Sequence, residues 1–171
     1  MQMVKNVFIT FIVFLFAFLI FMPKQELYFT LEKELATKGI EINEESLEET
    51  IFGLTAKNVT LYFKGIKVAT VEEIDIYTLF FYSRVKVIML QVDESLRAFV
   101  PQEIENTRFV HNILSPETVR IKTRGTFGLA EGTMDLGTRI VHIYFTEPKK
   151  IASIRSQLKK DEQGWYYETS F

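Results

Sequence analysis

The sequence predicts an α+β protein, mostly antiparallel β, in which a single N-terminal transmembrane helix and an amphipathic helix precede one curved β-sheet domain. Three observations predict it. An apolar run opens the chain, a four-residue leucine spacing follows it, and from Ile40 onward the apolar period is two.

The apolar run is Val7 to Met22, in which Thr10 is the only polar residue. With the residues before it, where Lys5 can extend toward headgroups, about twenty residues are available, enough for a ~30 Å hydrocarbon layer. Val7, Phe11, Phe14, Phe18 and Phe21 are the expected membrane-anchor residues. The exit reads Phe21-Met22-Pro23-Lys24, without the small residues of a cleavage site, so an uncleaved anchor is expected over residues 1–22. Lys5 before the run, against Lys24 closely followed by Glu26 after it, favours a cytoplasmic N-terminus and an exported remainder.

Pro23 suits the first turn of a helix. Leu27, Leu31 and Leu35 then recur every four residues, with Gly39 as the stop, giving an amphipathic helix over 23–39. Its leucine stripe is the candidate partner-helix surface. The β-rich domain is expected over 40–171.

Within it, Val59, Leu61 and Phe63 alternate with polar residues, Gly65 turns the chain, and Ile66 and Val68 resume, which reads as a hairpin. Ile74 and Ile76 form another alternating stretch, as do Val85, Val87 and Met89, and Val119 and Ile121. In the stretch Ile140 to Phe145, His142 shares one face with Ile140 and Tyr144, and Val141, Ile143 and Phe145 share the other. Gly125, Gly128, Gly132 and Gly137 are expected near turns or bulges. Short helices are expected over 93–99, with Leu96, Phe99 and Val100 as its apolar face and Pro101 as its stop, and over 148–160, with Ile151, Ile154 and Leu158. The closing stretch places Trp165, Tyr167 and Phe171 on one face.

Charge and composition narrow the function. A net charge of −2, well mixed along the chain, gives no basic face for nucleic acid. Cysteine is absent, which excludes disulfides, thiolate nucleophiles and sulfur-based zinc sites. Of the two histidines, His142 lies mid-strand among apolar neighbours and His111 reads as a strand-end residue; acidic pairs such as Glu72-Glu73 point to opposite faces. No enzymatic site, metal or cofactor is expected.

Met22-Pro23-Lys24 leading into the amphipathic helix carries a resemblance, together with Thr50-Ile51-Phe52-Gly53-Leu54, Asn58-Val59-Thr60-Leu61 and Gly65-Ile66-Lys67-Val68-Ala69. So do Gly125-Thr126-Phe127-Gly128 and Gly132-Thr133-Met134-Asp135-Leu136. In this order they resemble the type II secretion system protein N family and the related AsmA-like envelope proteins. The resemblance implies an inner-membrane anchor carrying a periplasmic sheet. It implies a non-enzymatic scaffold subunit of an envelope machine such as a secretion system, pilus or flagellar motor. Its partners would be the inner membrane and other protein subunits, copies of itself among them. The alternative that it implies is an AsmA-like lipid-binding or lipid-transfer module. The discriminating feature is whether the apolar strand faces close on a helix or line an open groove, with Leu79-Phe80-Phe81-Tyr82 able to serve either.

Overall fold

The computed structural model describes residues 2–21, 23–96 and 103–171. Two helices come first, α1 (Gln2–Phe21) and α2 (Lys24–Thr37). Eleven strands follow: β1 (Ile40–Asn43), β2 (Ser46–Thr50), β3 (Gly53–Phe63), β4 (Ile66–Leu79), β5 (Tyr82–Val92) and β6 (Glu103–Asn112), then β7 (Ser115–Gly125), β8 (Gly128–Asp135), β9 (Ile140–Phe145), β10 (Lys159–Asp161) and β11 (Gly164–Ser170). They form one antiparallel sheet in the order β1-β3-β4-β5-β6-β7-β8-β9-β11-β10, with β2 also paired to β3. Short hairpins joining sequence neighbours make this meander the simplest way to satisfy the backbone groups. At the β3–β4 hairpin Lys64 and Gly65 both take positive φ, 51° and 78°, as the twist-matched two-residue turn demands.

The membrane anchor expected over 1–22 is not supported. Among the described residues no helix is long and apolar enough to cross a membrane. The architecture is therefore a mostly antiparallel sheet with two helices. Val7, Phe11, Phe14, Phe18 and Phe21 are all exposed on α1. The helix touches the sheet where Phe16 meets Phe80, edge to face with centroids 6.0 Å apart.

The stripe on α2 divides. Tyr28 is buried and its hydroxyl donates to Glu44 at 3.2 Å; burial first, then the Glu44 charge, holds its ionisation far above the ordinary tyrosine range. Leu27 and Leu31 are exposed along a cleft that they share with Phe52, Leu54 and Ile76, and Leu35 is half-buried.

Among the described residues neither of the two expected later helices is α-helical. Over 93–99 the described part is a 3₁₀ turn, Glu94–Leu96; Phe99, Val100 and Pro101 lie outside the described residues. Over 148–160 the chain makes turns and a 3₁₀ turn, Arg155–Gln157, yet Ile151 and Ile154 are buried and Leu158 packs beside them. The spacing of these residues is satisfied by a coil that drops three apolar side chains onto the sheet, and spacing does not distinguish that from a helix.

The alternation itself changes phase. Inward-facing residues step by three instead of two at Ala56–Val59 in β3, Val71–Ile74 in β4, Val87–Leu90 in β5 and Ile104–Thr107 in β6. The residues skipped in the pairing, Asn58, Glu72, Met89 and Glu105, lie side by side across the four strands. Asn58 and Met89 carry φ of 50° there, the left-handed region. Met89, expected to share a face with Val85 and Val87, is instead the residue at which β5 changes phase. An irregularity of this kind bends a strand and strengthens its twist, and four in a row crease the sheet. A β-branched side chain resists left-handed φ, whereas asparagine tolerates it. Met89→Ile is therefore expected to lower stability by ~1–3 kcal/mol in chemical denaturation while Met89→Asn stays near neutral.

Candidate functional site: an apolar groove

Beyond the crease the two faces of the sheet separate by chemistry. Cross-strand pairing sets Phe109 beside Ile121, Ile121 beside Gly132, Gly132 beside Ile143 and Ile143 beside Tyr167. One step along the strands, Thr107, Thr123, Ala130, Phe145 and Trp165 form the next row. A further row, on the other side of the first, holds Val119, Met134 and Val141. These rows line a groove of about 510 Å³, within the ~300–1,000 Å³ of ligand sites.

Small residues make the hollow. At Gly132, in the middle of β8, a Cβ would lie 2.0 Å from the His142 carbonyl oxygen, so only glycine fits. It was expected near a turn or a bulge; it lies in mid-strand, regularly paired, and leaves a gap in the floor between Ile121 and Ile143. Ala130, Thr107 and Thr123 keep the next row low. The two threonine hydroxyls lie 2.7 Å apart and bond to each other. Their pairing lets polar atoms sit in an apolar floor without an unmet partner.

One end of the groove is shut. Ile151, with no exposed surface, and Ile154 pack on Phe127 and Ala130, with Leu158, Phe145 and Trp165 around them. Running the other way, the lining continues along β8 and β9 to Met134 and Val141, close to the β8–β9 turn. From Phe145 to Val141 along β9 this is about 13 Å at ~3.3 Å per residue.

The opposite face is polar. Lys86 lies opposite Arg108, and Arg108 opposite Lys122, which pairs with Glu131 at 2.9 Å. Arg84 pairs with Asp75 at 2.8 Å. His142 belongs to this face, as its alternation with Val141 and Ile143 predicts. Its ring stacks on Tyr166 with centroids 4.5 Å apart, and Nδ1 lies 3.2 Å from Glu168. His111 Nε2 lies 2.9 Å from the Pro116 carbonyl oxygen. Among the described residues no three acidic or histidine side chains gather as a metal site would need.

Glu168 is held below the ordinary glutamate range by hydrogen bonds from Lys159, then from His142. A carboxylate with a lowered folded pKa contributes stability that is complete above its unfolded value and lost as pH falls through the folded one. Between pH 5 and pH 3 the native chain is thus expected to lose more stability than a Glu168→Gln variant in parallel denaturation curves.

No protein-family model, no curated protein and no solved structure matches this chain. The groove was legible only in part. Val141, Ile143 and Phe145 were placed on a common face from alternation alone. The threonine pair and the mid-strand glycine were not singled out, because their role depends on what lies across the sheet. The pairing of the threonines has its own test. Thr107→Val or Thr123→Val alone strands a buried hydroxyl and is expected to cost ~1–3 kcal/mol, while the double valine variant is nearly neutral. A double-mutant cycle in denaturant measures the difference.

Proposed function

We propose that the protein is a lipid-handling module whose groove holds an acyl chain. The observation that carries this reading is the open apolar groove itself. The strand faces close under Ile151 and Ile154 at one end only, and the rest of the lining stays open.

The lining also selects among apolar occupants. A peptide brings a backbone N–H and C=O with every residue, and each needs a partner when buried. The groove floor offers almost none, since the threonine hydroxyls bond to each other. An acyl chain has no such groups. Its burial gains ~0.8 kcal/mol per methylene, and the apolar lining runs without a charged side chain from Phe145 to Met134 and Val141. The resemblance to AsmA-like proteins implies the same occupant. A scaffold joined through sheet edges would need no groove, so the hollowing by Gly132 and Ala130 favours lipid over it.

A photoreactive residue placed singly at Phe109, Val141 or, on the polar face, Lys122 tests this in the full chain expressed in cells. Lipid adducts found by mass spectrometry at Phe109 and Val141 and not at Lys122 are the expected result, and adding Ile143→Glu should reduce them at least several-fold. Adducts to protein at the groove positions, or equal lipid labelling on both faces, would overturn the reading, and the former would favour the scaffold.

A further inference from the structure

The meander brings every second turn to a common rim, and that rim is apolar. The β2–β3 turn presents Ile51, the β4–β5 turn Phe81, the β6–β7 turn Ile113 and Leu114, and the β8–β9 turn Leu136, while Phe171 follows β11 at the same end. All six are exposed, Leu114 at 92%. The positions are scattered over 120 residues of sequence and meet only because the strands pair antiparallel. Among the described residues of the opposite rim, only the β3–β4 turn shows exposed large apolar side chains, Phe63 and Ile66, and there they flank Lys64 and Gly65.

We infer that this rim docks on a lipid bilayer, with the apolar turn residues entering the interfacial region. Two further observations point to lipid as the occupant. The first is α1, which lies against the same rim through Phe16 and Phe80. It exposes phenylalanine, isoleucine and valine on all sides, from Val7 to Phe21. A helix apolar all round has no water-facing side and demands an apolar medium around it. A second protein would have to cover both α1 and a row of separate turns, whereas a fluid interface conforms to them together. The second is the groove. It is shut at the far end by Ile151 and Ile154, and its lining runs by way of Met134 and Val141 toward Leu136 and Ile140 at this rim.

Docking at the rim goes beyond the groove reading and does not depend on it. The turn residues would enter a bilayer whether or not a chain lies in the groove. With both in place, the open end of the groove faces the source of its occupant.

The chain has no cysteine, so single substitutions can be labelled cleanly. An environment-sensitive fluorophore is attached at Leu114→Cys, Phe81→Cys, Ile51→Cys or Leu136→Cys in the full chain. The controls are Ile66→Cys on the opposite rim and Lys122→Cys on the polar face. Every one of these side chains is exposed, so the fold tolerates the change, and the circular dichroism of the sheet checks it. Each protein is mixed from detergent with vesicles of equal parts phosphatidylcholine and phosphatidylglycerol. The expected result is a blue shift and several-fold slower quenching by aqueous iodide at the four rim sites, with both controls unprotected. Rim labels quenched as fast as Ile66→Cys would overturn the inference, including the case in which α1 alone holds the protein on the vesicle. If rim labels are protected while the photoreactive groove positions capture no lipid, the rim inference stands and the groove reading fails.

Discussion

An apolar sheet face must be covered, since apolar surface left in water forgoes about 25 cal/mol per Å². A single sheet of eleven strands has one such face, and little chain remains to cover it once the strands are made. Here α2 lies over the first strands through Tyr28, and the turns around Ile151 and Ile154 lie over the last. Between these two covers the face is open. The placement of the core, the groove and the polar back all follow from that shortage of cover.

The crease shows how the sheet adapts. Where β3 to β6 change phase together, the inward set passes from Ala56, Ile74, Val87 and Thr107 to Val59, Val71, Leu90 and Ile104 without turning a charged residue inward. A phase change in one strand alone would flip that strand's side chains against its neighbours'. Four aligned changes keep the apolar face continuous, and Asn58 and Met89 accept left-handed backbone to allow it. The left-handed conformation costs energy locally, and the continuity of the face over four strands offsets it.

Chemistry divides cleanly between the faces because alternation leaves no intermediate positions. Val141, Ile143 and Phe145 line the groove, while His142 and Tyr144 form an aromatic cluster with Tyr166 behind it. The histidine, the residue most open to a catalytic interpretation, is thereby spent on a stacking interaction and a glutamate contact. The exposed turns add a third region, neither core nor polar back. The tight turns leave Phe81, Ile113 and Leu114 exposed, whereas Phe127 in the β7–β8 turn is buried because Ile151 and Ile154 pack over it.

How much was legible in the sequence follows from the range of each interaction. Period-two stretches, the Lys64-Gly65 hairpin, the helix from Lys24 and the split between Ile143 and His142 are local, and the sequence by itself determined them. Local spacing misled where one pattern has two physical realisations. Ile151, Ile154 and Leu158 fit a helix and equally fit a coil anchored at three points. Met89 continued an alternation that the bend in β5 interrupts. The apolar opening run suggested a crossing that no described helix is long and apolar enough to make. Only the tertiary structure decided the groove and the rim. Gly132 is a hollow because of Ile121 and Ile143 across the ladder, Thr107 is satisfied because Thr123 lies opposite, and Ile51 and Leu114 come to one rim because four strands, β3 to β6, lie paired between them. Such relations belong to strand order and register, which are fixed by contacts between residues far apart in the chain and so cannot be read from any short stretch of it.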